Sequence, residues 1–362
     1  MIMDFMSAYS GLGGEVIEPP VSMPAALPLE LSGESVRPRL CIFPGAFGKE
    51  TALRADYTLP IAQIEAVRRK TGAADDKTYV YDGPVFRLPR DRSEAVEFRQ
   101  VGFERYGFSE GAAVDSAALF AQLDALKSVG ISTPSIRMGD LAIVPAFIDA
   151  LDLPLETAKA LKRAFRQAGG MTALLEKASN DTSSGLARLL SSLQEKDART
   201  LLTETMGVSG ITVIGTRSMD EVVERLIAQG RGAAIADISE GARKVLHDLI
   251  SIDVPARSAS EALLGLSQRH GLKIDGETLD AVSARVANIP ATVSSRFTTT
   301  FGRQFTYYDG FVFDLYCGET IVGGGGRYDT LIAHLSNGAV SANAIGSALR
   351  VDRIEKALGV TQ

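Results

Sequence analysis

Two neighbouring stretches concentrate the side chains best suited to chemistry: Arg303-Gln304-Phe305-Thr306-Tyr307-Tyr308-Asp309-Gly310-Phe311 and, shortly after, Gly323-Gly324-Gly325-Gly326-Arg327-Tyr328-Asp329. Consecutive glycines permit positive φ and close approach of backbone to a ligand, and the flanking residues add guanidinium groups and phenolic hydroxyls. Alone, a glycine run reads as a flexible turn. The β-branched and aromatic character of Arg303 to Tyr316 shifts the reading toward a strand beside a loop. Together they would bring Arg303, Tyr307 or Tyr308, Arg327 and Tyr328 to one pocket for a small, charged, aromatic-compatible molecule. A dinucleotide or P-loop reading fails, since Gly-x-Gly-x-x-Gly would need glycine at Tyr328 or Asp329 and no Gly-Lys-Ser/Thr occurs.

Upstream, Asp56 and Thr58 stand two residues apart, so on a strand both would face one side and could receive an ammonium group. An exposed strand face or an Asx-type turn is the plainer reading of that segment alone. Gly83 to Arg87 and Glu97 to Glu104 read as two strands of a hairpin joined by the charged loop Arg90 to Glu94. On the second strand Phe98, Gln100, Gly102 and Glu104 share a face. That face is either a polar floor beneath a ligand or a solvated outer surface, and the pattern leaves both open.

The elements that must position these residues fall into three zones, 1–150, 151–290 and 291–362, within a chain of 362 residues. In the first, short β-rich runs (Glu15 to Ile17, Thr78 to Tyr81, Pro84 to Arg87, Phe98 to Val101) alternate with turns and predict an antiparallel sheet. Ser7 to Pro38 reads as poorly regular. The second zone is predicted helical: Leu155, Ala158, Leu161, Phe165 and Ala168 recur at helical spacing and stop at Gly169-Gly170. Capping boxes at Ser218 with Glu221 and at Ser258 with Glu261 open further helices, the latter through Leu263, Leu264 and Leu266. In the third zone strands return from about Phe297, and Ala344 to Lys356 reads as one helix with Ile345, Leu349 and Ile354 near one face. The expected fold is α+β, an antiparallel sheet flanked by helices and interrupted by a mostly helical insertion.

The formal net charge of -6 argues against a general nucleic-acid binder. The segment from Met1 to Met6 lacks the pattern of a signal peptide and no run is long and apolar enough for a membrane span, so a cytoplasmic protein is expected. Cys41 and Cys317 are read as reduced thiols. His247, His270 and His334 have no ligand-spaced partners, and neither a metal nor a cofactor is expected.

In this order, these segments resemble the class II aminoacyl-tRNA synthetases, and within them the histidyl branch. Phe86-Arg87 and the return from Phe98 to Glu104 are similar to the second class-defining motif. Arg303 to Phe313 and Gly323 to Leu331 resemble the two histidine-specific motifs, and Ala344 to Ile354 the third class motif. Glu15 to Pro20 is similar to the end of the first motif, which forms the dimer interface in that family, so a homodimer is implied. The resemblance covers about residues 1–150 and 295–362. It implies a histidine pocket in which Asp56 and Thr58, with Gln100 nearby, receive the amino group, and Arg87 and Arg303 lie near the carboxylate. Glu104 and Tyr308, with Tyr307 adjacent, would recognise the imidazole, and Tyr328 would close the pocket. Each group has the chemistry its task needs: acceptors for ammonium, guanidinium for carboxylate, and carboxylate and phenol oxygens for ring N–H groups.

Departures in the nucleotide half point away from a working synthetase. Pro89 stands where an acidic residue helps hold ATP. Arg350 replaces a small glycine and Asp352 a glutamate, while Arg353 stands where the triphosphate-binding arginine belongs. The chain ends just after the third motif, so neither an anticodon-binding domain nor tRNA binding is expected. This combination resembles the regulatory subunits of ATP phosphoribosyltransferase. The resemblance implies a non-catalytic subunit that assembles with a short-form catalytic subunit in a hetero-oligomer at the first step of histidine biosynthesis and transmits feedback inhibition by L-histidine. The alternatives are a histidine-adenylating enzyme, a truncated histidyl-tRNA synthetase, or a histidine sensor with another partner. The sequence leaves open whether Arg350 fills the adenine cavity or recruits an anion.

Overall fold

A computed structural model describes residues 5–90, 94–109, 111–167, 169–177, 193, 195–208, 238–301 and 307–360. The chain divides into two compact units: Met1–Ala142 with Asp253–Ala262 and Asp275–Gln362, and Ile143–Ile252 with Leu263–Ile274.

The first unit carries twelve strands among the described residues: β1 (Glu15–Val16), β2 (Ser22–Pro24), β3 (Ile42–Pro44), β4 (Glu50–Leu53), β5 (Lys77–Phe86), β6 (Glu97–Tyr106), β7 (Ser135–Asp140), β8 (Asp253–Pro255), β9 (Ser295–Thr298), β10 (Phe311–Cys317), β11 (Thr320–Arg327) and β12 (Ala344–Arg350). Nine form one sheet in the order β1-β5-β6-β12-β11-β10-β7-β9-β8, and β2-β4-β3 form a small second sheet. The large sheet is antiparallel except where β1 meets β5 and β7 meets β9, both in parallel. The expected α+β class holds, with a mixed rather than purely antiparallel sheet. Helices Thr58–Lys70, Gly111–Ser128, Gly276–Ala287, Leu331–Leu335 and Val351–Ala357 accompany it. Ser7 to Pro38 is more regular than expected, holding β1, β2 and the helix Ala26–Ser32.

The glycine run is not a loop. Gly323 to Gly326 lie inside β11, opposite Leu349 to Gly346 of β12 on one side and Leu315 to Val312 of β10 on the other. Their backbones need no positive φ. What they need is room: a Cβ on Gly323 would lie 2.8 Å from the Ala348 carbonyl oxygen, and one on Gly326 would lie 2.7 Å from that of Phe311. Gly346 answers from β12, where a Cβ would fall on the Glu104 carboxylate. Ala344 to Arg350 is accordingly a strand, and the helix starts only at Val351. Local composition favours a helix there, but pairing with both β11 and β6 decides the conformation.

The second unit is helical, with helices at Ile143–Ala150, Leu155–Phe165, Gly170–Lys177, Glu195–Val208 and Glu240–Ile250. In the Leu155–Phe165 helix the buried stripe is Thr157, Ala160, Leu161 and Ala164, while Leu155 is exposed. The buried stripe is thus rotated by about one position from the expected one. Ser239 caps the Glu240–Ile250 helix, its hydroxyl accepting from the Ala242 N–H at 3.2 Å. The capping box at Ser218 and Glu221, like Ala168, lies outside the described residues. In the helix Ala259–Arg269, Leu263 and Leu266 are buried but Leu264 is exposed. Among the described residues, no helix is long and apolar enough to cross a membrane and no cluster suits a metal ion.

Candidate functional site

Asp56 and Thr58 come from a helix start rather than a strand. β4 stops at Leu53 and a helix opens at Thr58, with Pro60 in its first turn, where a missing N–H costs nothing. The Leu59 N–H donates to Asp56 Oδ1 at 3.1 Å, and the Tyr307 hydroxyl donates to Oδ2 at 3.1 Å. Burial raises the Asp56 carboxyl above its ordinary range, opposed chiefly by the positive charge of Arg87. Arg87 is itself pinned, its Nε donating to the Ala55 carbonyl at 2.6 Å.

The Phe98-Gln100-Gly102-Glu104 face of β6 is buried, which excludes the solvated outer surface of the two open readings. Gln100 accepts from the Tyr57 N–H at 3.3 Å. Glu104 accepts from Thr58 Oγ1 at 2.7 Å, from the Tyr81 hydroxyl at 3.2 Å and from the Tyr328 hydroxyl. Those three donors favour the carboxylate, but complete burial outweighs them and pushes the Glu104 carboxyl up to about 8. Tyr81 stacks on Tyr57 with ring centres 4.2 Å apart, and its hydroxyl occupies space that a side chain at Gly102 would take. Edge-to-face packing of Tyr328 on Tyr307 and Tyr308, at 5.8 and 6.2 Å, closes this end of the cluster.

These elements enclose a cavity of about 310 Å³, at the lower end of the roughly 300–1,000 Å³ common for small-molecule sites. Asp56, Thr58, Arg87, Gln100, Tyr307 and Tyr308 line it, as do Arg350 and Arg353. Glu104 and Tyr328 stand one layer behind, Glu104 bonded to Thr58 and Tyr81 of the lining and Tyr328 to Glu104. Arg303 lies outside the described residues. Pro89 is exposed and takes no part in the lining. Arg327, expected to supply a cation here, instead donates to Asp115 at 2.6 and 2.9 Å and to Asp329 at 3.1 Å. The strand alternation that sends Tyr328 toward Glu104 sends its neighbour away. Tyr81, Arg39 and Glu94 are among the lining residues that escape a reading of the sequence. Tyr81 has a signal, since it alternates with Tyr79 on β5 and pairs across to Gly102. Arg39 and Glu94 have none, because only the fold brings them together.

The family model for histidyl-tRNA synthetase matches residues 1–209 and 216–354. An ATP phosphoribosyltransferase regulatory subunit of Allorhizobium ampelinum is 31% identical over 361 residues, spanning 96% of this chain and 95% of that one. Its counterpart in Rhizobium johnstonii is 32% identical over 368 residues, spanning 97% and 95%. A crystal structure described as an ATP phosphoribosyltransferase regulatory subunit/histidyl-tRNA synthetase from Bacillus halodurans shares the fold, with a TM-score of 0.65 and 21% identity over 98% of this chain and 77% of that one. The chain therefore belongs to the ATP phosphoribosyltransferase regulatory subunits, a group built on the histidyl-tRNA synthetase fold.

Proposed function

We propose that the cavity binds free L-histidine and that its occupancy sets the activity of a short-form ATP phosphoribosyltransferase catalytic subunit assembled with this chain, itself a homodimer within that assembly. The chain's own role in histidine biosynthesis is regulatory rather than catalytic, in keeping with its family. One observation carries the ligand: a single cavity presents a carboxylate, Asp56, beside a guanidinium, Arg87, over a floor of amide and hydroxyl groups. That arrangement complements a zwitterion, with Asp56, Thr58 and Gln100 accepting from the ammonium group and Arg87 meeting the carboxylate. Tyr308 supplies a phenol to the ring, and Glu104 fixes the hydrogen-bond sense of the Thr58 and Tyr81 hydroxyls by accepting from both. Arg303 joins Arg87 in the role the resemblance gives it.

Calorimetric titration of L-histidine into the full chain tests the reading. Binding is expected, weakened about tenfold or more by Asp56→Asn, a loss of about 1.4 kcal/mol. Histamine, which lacks the carboxylate that Arg87 would hold, is expected to bind more weakly than histidine. No measurable histidine binding, or equal affinity for histamine, overturns the assignment.

A further inference from the structure

Three chain segments meet at Arg54, which is not itself in the cavity lining. Its backbone N–H donates to the Val21 carbonyl at 2.8 Å, and its own carbonyl accepts from the N–H of Phe86, the residue before Arg87, at 3.0 Å. The side chain is fully buried and spends its donors on all sides: on the Pro84 and Pro19 carbonyls at 2.9 and 2.7 Å, on the Tyr57 hydroxyl at 2.7 Å and on Glu18 Oε1 at 2.6 Å. The other Glu18 oxygen lies 3.5 Å from the Tyr57 hydroxyl.

What this arrangement holds is the Tyr57 ring. The Arg54 guanidinium carbon stands 4.2 Å from its centre, and Tyr81 stacks on it at 4.2 Å with the ring planes 3° apart. Gly83 leaves the space that the Tyr57 hydroxyl fills, since a Cβ there would fall on it. From Tyr57 the contacts run into the cavity wall: its N–H donates to Gln100, and both Gln100 and Tyr81 are lining residues. A buried guanidinium needs a counter-charge, and the acid bonded to Arg54 is Glu18, whose side chain is 63% exposed. We propose that Arg54 is a positioning residue for the cavity and that Glu18, at the surface, sets how firmly it holds Tyr57 and, through Tyr57, the lining residues Tyr81 and Gln100. Without Glu18 the guanidinium is a buried charge lacking its bonded acid, and it turns toward water at the expense of its bond to Tyr57. Ligand affinity is thereby tied to an exposed acid outside the cavity. A lysine cannot stand in for Arg54, because one ammonium does not span the acceptors that the fork reaches.

The affinity readout rests on the histidine reading of the cavity, whereas a spectroscopic readout does not. L-Histidine is titrated into the full chain and into its Glu18→Gln, Arg54→Lys and Tyr57→Phe variants, with far-ultraviolet circular dichroism confirming each fold. Each variant is expected to bind histidine at least threefold more weakly than the parent. The Glu18→Gln/Tyr57→Phe double variant is expected to bind no more than twofold more weakly than the poorer single one, because both changes act on one ring. A merely structural pair would lower the unfolding midpoint and leave the affinity of the folded chain unmoved. The chain has no tryptophan, so near-ultraviolet dichroism reports chiefly on its tyrosines, and Glu18→Gln is expected to alter that signal without histidine present. A loss of less than threefold in Glu18→Gln or in a folded Arg54→Lys overturns the proposal, and should Arg54→Lys not fold, Glu18→Gln alone decides. If the parent binds no histidine, the ligand assignment fails separately and the tyrosine signal decides: a change in Glu18→Gln upholds the positioning role, and an unchanged spectrum overturns it.

Discussion

At the scale of residues, the account turns on how buried acids are held. Glu104 is wholly enclosed, and burial lifts its carboxyl from an ordinary 4.5 to about 8 despite three hydroxyl donors. The sign of the consequence follows from proton counting. Below 4.5 the group is protonated in folded and unfolded chain alike; between 4.5 and about 8 only the folded chain keeps the proton, so stability falls as pH rises through that window. Glu104→Gln keeps the shape and removes the titration. Its unfolding midpoint is expected to fall less steeply with pH across that window, by a few degrees in total, and an unaltered slope in urea or thermal unfolding contradicts the assignment. Asp56, also raised by burial, remains in the variant and accounts for residual slope. Acids and guanidinium groups of this kind are legible in the sequence because few residue types can serve a zwitterion. Arg39 and Glu94 are not, since their meeting depends on a β5-β6 connection that folds back toward the segment before β3.

At the scale of elements, a buried ion network ties the pocket strand to two helices. Asp115 of the Gly111–Ser128 helix accepts from Arg327 at the end of β11 and from Arg285 of the Gly276–Ala287 helix, and Arg285 also donates to Asp140 at the end of β7. Arg327 directly precedes Tyr328, so the network helps set where that ring packs behind the cavity lining. Removing the shared acid leaves Arg285 with Asp140 and Arg327 with Asp329 as acidic partners among the described residues, each cation losing a buried counter-charge. Asp115→Asn is expected to lower stability by about 3–5 kcal/mol in urea unfolding, and a change within about 0.5 kcal/mol would show the network to be incidental. The β5-β6 hairpin is readable from the sequence because alternation and a charged turn agree. β12 is not. Its alanines and leucine suit a helix, and only the glycines of β11 opposite, which let the two backbones close, show why it must be extended. Asp56 and Thr58 are ambiguous for a similar reason: two polar residues before a proline fit a turn, a strand or a helix start, and the Leu59 N–H settles the choice.

At the scale of the whole molecule, the order of the motifs is legible in the amino-acid sequence, and it leads to the right family because several uncommon segments agree along the chain. The nucleotide half is harder to read, since Arg350 changes meaning once it is found lying on Phe98. A cavity that pairs Asp56 with Arg87 while Arg350 lies over Phe98 is in keeping with the regulatory role of the family. Sensing requires that histidine bind one assembly state more tightly than another, because equal affinity shifts no equilibrium. The most direct measurement is phosphoribosyl transfer by a short-form catalytic subunit, assayed alone, with this chain, and with this chain plus L-histidine. The account predicts a rise of at least tenfold on adding the chain and suppression of most of that rise by histidine, a coupling of about 1.4 kcal/mol or more. No rise on mixing, or a rise that histidine leaves untouched, would contradict it.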